Sequence, residues 1–331
     1  MRQLDVAVFA VTATNPIDPP GNLQLASILT RLVGGSDVAV SEWPPDLPSP
    51  ENLGLLNRDG YLRLLEGIHL LDPGLIQSAL SRSSGAWLRR LQIYNVIGST
   101  NAVLMEMAPD SGVDGQIRLA ELQVQGRGRR GREWHSPFGA NLALSMGFSA
   151  EREASDLGGL SLVVGLALVD ALERQGISGL ALKWPNDLLL EGAKLGGILI
   201  EVVTTARGIE LVIGIGLNIR LPAAIRAALD QSVADIEGAG ISADRNLLAA
   251  AIISSVHEFV REFQQHGFAP FCEVFNARHY FHRAECQILQ GSETESGLVD
   301  GVTDQGALRL RGEDGGIRVF HGGEVSLRPL R

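Results

Sequence analysis

The stretch KWPNDLLLEGAKLGGILIE, residues 183–201, decides the fold class because it places strands in series without a helix between them. The apolar segments LALKW (180–184) and LGGILIEVV (195–203) are typical of strands, and a polar turn at 191–192 joins them. Another strand, IELVIGIGLNIR (209–220), follows directly. Strands that follow one another with few intervening helices predict an α+β fold rather than a doubly wound one.

Helices are predicted outside this stretch, where apolar residues follow a capping residue or run up to a glycine. Three segments have this form: STNAVLMEMA (99–108), SDLGGLSLVVGLALVDALERQG (155–176) and DRNLLAAAIISSVHEFVREFQQHG (244–267). The alternating segments IRLAELQVQ (117–125) and NLALSMGF (141–148) predict two more strands, one on either side of a loop.

Composition and turn signals divide the chain into three regions, 1–80, 81–281 and 282–331. The first is rich in proline loops and holds four arginines against nine acidic residues, a local charge of about −5. In it we expect a strand near the start of the chain, over MRQLDVAVFAVTATNP. A helix at LQLASILTRLVGG (23–35) and a turn and strand at DGYLRLL (59–65) follow. The third region consists of five short alternating segments, which predict a small antiparallel barrel: ECQILQ, ESGLVDGV, GALRLRG, GIRVFHGG and EVSLR.

The bulk composition is that of a globular protein in a reduced, cytoplasmic setting. The chain has 331 residues, of which 45% are hydrophobic and 20% charged, and no apolar run approaches the roughly 20 residues of a membrane helix. Two cysteines give no disulfide framework and no metal spacing. His135, His257 and His279 have no partner at catalytic spacing, so we expect them to be surface or core residues.

The loop GRGRRGREW, residues 126–134, concentrates four arginines in a chain whose net charge is −10. The loop has three possible interpretations: a nucleic-acid-binding patch, a solvated surface segment, and a lid for one small, highly charged ligand. Glycines let the backbone approach a ligand, and arginine forks match phosphate and carboxylate oxygens. A general nucleic-acid binder needs a broad basic face, so the net acidity favours the ligand lid.

Lysine is rare in this chain, since Lys183 and Lys194 are the only two among 28 basic residues. Their spacing of eleven positions suggests a chemical role, although an arginine-rich composition alone would also leave few lysines. Other motifs are equally ambiguous by themselves. STN (99–101) is a helix cap or an anion-binding helix start, and KWPND (183–187) is a turn or a polar site. GIGLN (214–218) is a bulge or a close approach to a ligand.

Taken in order, these motifs resemble the biotin protein ligases. The matching stretches lie between about residues 94 and 328, roughly two thirds of the chain, and are GSTN (98–101), AELQVQGRGRRGREWHSPFGANLALSM (120–146), KWPNDLLLEGAKLGGILIE (183–201), VIGIGLNI (212–219) and GGEVSLR (322–328). The resemblance implies a central mixed β-sheet with helices and a C-terminal SH3-like barrel. It also implies that biotin and MgATP form biotinyl-5′-adenylate, from which biotin passes to a lysine of the biotin carboxyl carrier protein of acetyl-CoA carboxylase.

The resemblance also implies a role for each residue that matches a family motif. Lys194, Arg127 and Arg129 would be catalytic, with Lys194 bridging the biotin carboxylate and the α-phosphate. Biotin would contact Ser99, Thr100, Asn101, Gln123, Arg127, Gly128, Arg129, Lys194, Gly214 and Gly216. The nucleotide would contact Arg129, Arg132, Trp134, Asn186, Asn218 and Arg328. No protein metal site is implied, because Mg²⁺ comes with ATP, but Asp187 is a possible magnesium-side group.

The first region departs from the family pattern. Many bacterial members carry a winged helix-turn-helix there and repress transcription as dimers, and DGYLRLLEG resembles the end of such a wing. We expect a divergent or degenerate module instead, because prolines replace the paired helices and negative charge repels DNA. A biotin-responsive repressor and a lipoate or octanoate ligase-transferase stay as alternatives. A homodimer is possible, and neither DNA nor a membrane is expected as a partner.

Overall fold

The computed structural model describes residues 21–290, 293–322 and 325–329. The predicted strand at the start of the chain therefore lies outside the described residues. Within the described ranges, fifteen strands are present: Val38–Ala39 (β1), Leu56–Arg58 (β2), Tyr61–Arg63 (β3), Arg90–Tyr94 (β4), Gln116–Ala120 (β5), Asn141–Ser149 (β6), Leu180–Lys183 (β7), Asp187–Leu190 (β8), Ala193–Thr205 (β9), Gly208–Asn218 (β10), Glu285–Gln290 (β11), Glu293–Val302 (β12), Leu308–Arg311 (β13), Ile317–Phe320 (β14) and Val325–Pro329 (β15). The α-helices are Gly21–Val33 (α1), Pro73–Ser78 (α2), Arg82–Trp87 (α3), Thr100–Ser111 (α4), Leu160–Arg174 (α5), Ala223–Ala228 (α6), Arg245–His266 (α7) and Cys272–Arg278 (α8).

A seven-stranded sheet forms the centre of the molecule, in the order β4-β5-β6-β10-β9-β8-β7. Strands β4 and β5 pair in parallel, and all the other neighbours pair antiparallel. The sheet is therefore mixed, which confirms the predicted α+β class.

The segment that decided the fold class contains one strand more than predicted. Asp187–Leu190 forms β8 between the two predicted strands, so one turn at 184–186 and a second at 191–192 make a three-stranded meander. Three successive buried leucines hide the alternation that identifies a half-exposed strand. The second turn lies where predicted, and its Glu191 and Gly192 both have positive φ angles of 50° and 81°.

The two faces of the sheet are covered differently. Leu211, Ile213 and Ile215 of β10 pack with α5 and α7 in the main core, whereas Val212 packs with α4 on the other face. Because side chains alternate along a strand, Gly214 and Gly216 point to the α4 face and leave space there.

Helix α7 agrees with its prediction, whereas α5 begins at Leu160, five residues after the predicted start, because the backbone at Gly159 is left-handed, with a φ angle of 81°. Asp244 caps α7 by accepting hydrogen bonds from the backbone of Asn246 and Leu247, and Gly267 ends it. By length and composition the segment Ala154–Arg174 could cross a membrane, but 61% of its apolar window is buried within the protein. It packs against α7 and the sheet, which is the environment of a core helix.

The C-terminal region forms a five-stranded antiparallel sheet in the order β14-β13-β12-β11-β15. All five predicted segments contribute a strand. Buried residues such as Ile288, Val299 and Leu310 join its inner face to the main core.

In the described part of the first region, α1 packs on a small antiparallel sheet with the order β1-β3-β2. The predicted helix and the predicted turn and strand are both present. The apolar core of this region also includes Leu122 and Phe138. These two residues flank the segment that carries the arginine loop, so the first region packs against both ends of that segment.

Candidate functional site

A cavity of about 650 Å³ lies on the α4 face of the central sheet, between β9, β10, the arginine loop and the C-terminal sheet. It gathers residues that are far apart in the chain. The predicted site residues that line it are Ser99, Thr100, Asn101, Gln123, Arg127, Gly128, Arg129, Arg132, Trp134, Asn186, Asp187, Lys194, Gly214, Gly216 and Arg328.

One end of the cavity is formed by the first turn of α4. Ser99 is the N-cap residue and makes no capping hydrogen bond through its side chain within the described structure. Oε1 of Gln123 accepts a hydrogen bond from the backbone N of Thr100 at 2.8 Å, and it also lies 3.0 Å from the hydroxyl oxygen of Thr100. This end is polar and neutral, which suits a ligand group that hydrogen-bonds without carrying charge.

The centre of the cavity holds the paired charges of Lys194 and Asp187. The Lys194 ammonium lies 2.7 Å from Oδ1 of Asp187, and the two side chains are 17% and 19% exposed. The ammonium also lies 5.9 Å from the centre of the Trp134 ring. The ammonium group of a lysine at this position can neutralise an anion that enters the cavity.

Lys183, the second lysine, also lines the cavity. It lies opposite Asp187 in the β7–β8 pair, and its ammonium is 5.8 Å from the centre of the Phe281 ring. Burial lowers the pKa of Lys183, Asp187 partly opposes that shift, and Lys194, Arg328 and Arg132 lower the pKa further.

The arginine loop folds back on itself over the cavity. The backbone N of Gly128 donates to the carbonyl of Arg132 at 2.8 Å, and that of Trp134 to the carbonyl of Gly126 at 2.9 Å. The reversal needs left-handed backbone at Arg130 and Gly131, with φ angles of 62° and 68°. Glycine adopts that conformation without strain, which explains part of the glycine spacing.

Arg129 connects the loop to two other parts of the site. Its guanidinium donates to Oδ1 of Asn186 at 3.1 Å and to the carbonyl of Gly322 beside the C-terminal sheet. Burial lowers the pKa of Arg129, and the neighbouring Asp187 opposes that shift. An arginine pKa starts so high that the group stays charged at neutral pH.

Glycines of the central sheet make room for the Trp134 ring. A Cβ atom on Gly216 would stand 2.3 Å from Cε2 of Trp134, and one on Gly197 3.5 Å from Cζ3. The indole therefore lies against bare backbone on the cavity floor. A flat aromatic surface of this kind is suited to stacking against a planar ring.

Asn218 is the one predicted site residue that does not line this cavity. It is 4% exposed, donates to the carbonyl of Ala234 at 3.1 Å and accepts from Asn141 at 3.3 Å. These bonds tie β10 to neighbouring backbone, so its place in the structure is beneath the site.

Sequence reasoning missed the contribution of the segment after α6. Asp230 and Gln231 line the cavity, and the backbone N of Lys194 donates to the carbonyl of Ser232 at 3.0 Å. No local pattern could have revealed this contact, because it joins residues almost forty positions apart. Among the described residues, no group of three or more His, Cys, Asp or Glu could hold a metal ion.

Comparison with known proteins identifies relatives across both parts of this site. The family model described as the biotin/lipoate A/B protein ligase family matches residues 94–218, and the biotin protein ligase C-terminal domain matches 285–328. The bifunctional ligase/repressor BirA of Escherichia coli K12 is 37% identical over 270 residues, or 81% of each chain. The biotin–[acetyl-CoA-carboxylase] ligase of Paracoccus denitrificans is 34% identical over 68% of this chain and 98% of its own. The biotin protein ligase of Aquifex aeolicus, solved with biotin and ATP, has a TM-score of 0.63 at 27% identity, over 73% of this chain and all of that one.

Proposed function

This chain belongs to the biotin protein ligase family, and from that premise we propose that the cavity around Lys194 is where it joins biotin to ATP. The enzyme activates biotin with MgATP, forming biotinyl-5′-adenylate and pyrophosphate, and transfers biotin to protein. One observation carries the assignment of the site. Lys194, Arg127 and Arg129 converge on a single cavity whose far end, at Thr100 and Gln123, is polar and neutral.

The charge pattern of the cavity fits the first half-reaction. A biotin carboxylate oxygen attacks the α-phosphorus of ATP, a new P–O bond forms, and the bond to pyrophosphate breaks. Two anions must meet for this step, so positive charge has to be in place before they arrive. In our proposal Lys194 lies between the carboxylate and the α-phosphate, with Arg127 and Arg129 above them.

The neutral end fits the other end of biotin. We assign the bicyclic ring to the pocket formed by Ser99, Thr100, Asn101 and Gln123. Its acyl chain would run along Gly214 towards Lys194. A Cβ atom at Gly214 would stand 2.3 Å from Oδ1 of Asn101, so any other residue at this position would displace the Asn101 side chain.

The nucleotide would occupy the side of the cavity nearest the C-terminal sheet. Trp134 offers a stacking surface for the adenine, and Arg132, Asn186 and Arg328 line the space around it. Mg²⁺ enters as part of the nucleotide substrate. Asp187 already pairs with Lys194 at 2.7 Å, which favours a role in holding the lysine over a role as a magnesium ligand.

The second half-reaction needs a protein acceptor, which we propose to be the biotin carboxyl carrier protein of acetyl-CoA carboxylase in the cytoplasm. The acceptor lysine loses a proton, its amine attacks the acyl carbon, the amide bond forms and AMP leaves. The relative from Paracoccus denitrificans, named for acetyl-CoA carboxylase, supports this choice of acceptor.

The proposal is tested by measuring pyrophosphate release from MgATP with biotin, lipoate or octanoate. We expect release with biotin only, and its loss in Lys194→Ala while the variant keeps its unfolding midpoint. Release with lipoate or octanoate in place of biotin would move the protein to the transferase side of the family. Full activity of Lys194→Ala would refute the assignment of the site.

We also propose that the first region does not bind operator DNA, although some relatives are named ligase/repressors. Each arginine that the structure describes there is held by an acid: Arg31 by Glu42, Arg58 by Glu66 and Arg63 by Asp37, at 2.6 to 2.9 Å. Phosphate contacts need unpaired basic groups. A mobility shift at physiological salt, with the biotin operon promoter as probe, should show no complex, and a specific complex would contradict the proposal. Dimer formation stays a prediction.

A further inference from the structure

Hydrogen bonds form a continuous chain across the cavity floor, from Thr100 on α4 to Glu201 on β9. The hydroxyl oxygens of Thr100 and Ser145 are 2.7 Å apart. Ser145 Oγ lies 2.5 Å from Oδ1 of Asn101, and Nδ2 of Asn101 donates to Oε2 of Glu201 at 2.8 Å. Ser145 comes from β6, so three elements of the fold contribute to the chain.

The Glu201 carboxylate fixes the orientation of the Asn101 amide. A carboxylate only accepts hydrogen bonds, and the carbonyl of Leu199, 3.4 Å from the same Nδ2 atom, also only accepts. The NH₂ group of Asn101 must therefore face them. Its Oδ1 atom then faces Ser145 as an acceptor.

This orientation sets the direction of every proton further along the chain. Two hydroxyl protons are shared among three oxygen–oxygen contacts of 2.5, 2.7 and 3.0 Å. The two shorter contacts hold them, so Ser145 donates to Asn101 Oδ1 and Thr100 donates to Ser145. Thr100 Oγ1 and Gln123 Oε1 then face each other at 3.0 Å without a hydroxyl proton between them. Two such oxygens are completed by an N–H donor from a ligand.

We propose that Glu201 is a positioning residue that makes the neutral end of the cavity specific for a ligand N–H group. This inference rests on the proposed function, in which that end receives the cyclic urea of biotin. The urea carries N–H donors, whereas the distal groups of lipoate and octanoate carry none. Glu201 would therefore contribute to the choice of acid without touching it.

Replacing the carboxylate with an amide removes the constraint. In Glu201→Gln the new side chain can donate as well as accept, so Asn101 is free to turn over. Ser145 would then donate to Thr100, and Thr100 would donate to Gln123. A hydroxyl proton would lie between Thr100 Oγ1 and Gln123 Oε1, so neither oxygen would be open to a ligand N–H group. The ligand N–H would meet a pocket that is already satisfied.

The test compares biotin with an N-methylated biotin that lacks the urea N–H facing this pocket, using pyrophosphate release. We expect Glu201→Gln to raise KM for biotin about tenfold, the value of one net hydrogen bond, with kcat changed less than threefold. The preference for biotin over the methylated analogue should fall by the same factor. Glu201→Asp should keep most of this preference. Ser145→Ala, which interrupts the hydrogen-bond chain between Asn101 and Thr100, should lower the preference as Glu201→Gln does.

Glu210→Gln is the matched control. Glu210 lies on the adjacent strand β10 and accepts from the backbone N of Val113 at 3.1 Å, outside the cavity. It should leave the preference unchanged. An unchanged preference in Glu201→Gln, with a folded protein and active wild type, would overturn this inference alone. Absence of biotin-dependent release in the wild type would overturn the proposed function and this inference together.

Discussion

Lys194→Ala changes two interactions at once, because it removes an ammonium and leaves its partner exposed to the substrates. The loss of one positioned charge or donor at a developing anion slows a reaction by about 10²–10³-fold. Asp187, 19% exposed and released from its ion pair, would then face the biotin carboxylate and the α-phosphate in the proposed binding mode. Two like charges 4 Å apart repel by between about 1 and 4 kcal/mol for effective dielectric constants from water to a protein surface.

This repulsion predicts a partial rescue. At the low end of that range, repulsion by the Asp187 charge lowers the rate of Lys194→Ala about fivefold. At the high end, the same charge lowers the rate by a much larger factor. Lys194→Ala/Asp187→Asn should therefore release pyrophosphate at least about fivefold faster than Lys194→Ala in a single-turnover assay. Asp187→Asn alone serves as the control for the effect of the carboxylate when the lysine is present. A double variant as slow as Lys194→Ala would refute the electrostatic reasoning.

Three further predictions concern the cavity floor, a buried histidine and the lid. Gly216→Ala places a methyl group 2.3 Å from the Trp134 ring, so the ring must leave the cavity floor. KM for ATP should therefore rise, and the tryptophan emission maximum should shift. An unchanged emission maximum would contradict this packing. Burial lowers the pKa of His279 to about 3, so the unfolded chain takes up its proton first as the pH falls below 6.5. The free energy of unfolding, measured by urea titration, should then fall by about 1.4 kcal/mol per pH unit relative to a His279→Leu variant, or by about 2 kcal/mol at pH 5. If the unfolding free energies of the two proteins ran parallel with pH, the buried neutral histidine would be ruled out. Ordering the lid costs entropy that ligand contacts offset, so amides of residues 126–134 should exchange more slowly with biotin and ATP bound, and equal exchange in both states would oppose a lid.

The sequence predicted the sheet and the gathering of the site residues better than it predicted local detail. Alternation in β6 and glycines in β10 are local patterns, and both strands formed where expected. Strand β8 was not predicted, because Leu188, Leu189 and Leu190 are all buried and the sequence there shows no alternation of polar and apolar residues. The three-region division of the chain stays a prediction.

The contacts that could not be predicted are those made between distant segments. Glu201 lies at an alternating position of β9, and nothing in its neighbours shows that it meets Asn101, a hundred positions earlier. Asn218 belongs to a glycine-rich strand that looked like a ligand site, yet its side chain holds backbone at Ala234. Periodicity identifies the face of a strand, but only the packed structure identifies the partner across it.

The scarcity of lysine bears on what happens when the activated intermediate escapes. A mixed anhydride in solution labels any unprotonated amine that it meets, including those of the protein that made it. Here both lysines line the cavity, and the other 26 basic residues are arginines, whose guanidinium groups hold their protons too tightly to attack. Apart from its amino terminus, the outer surface offers no amine to the reagent. Labelling of the outer surface by its own intermediate is therefore limited to the amino terminus, and the two lysines that could react both line the cavity.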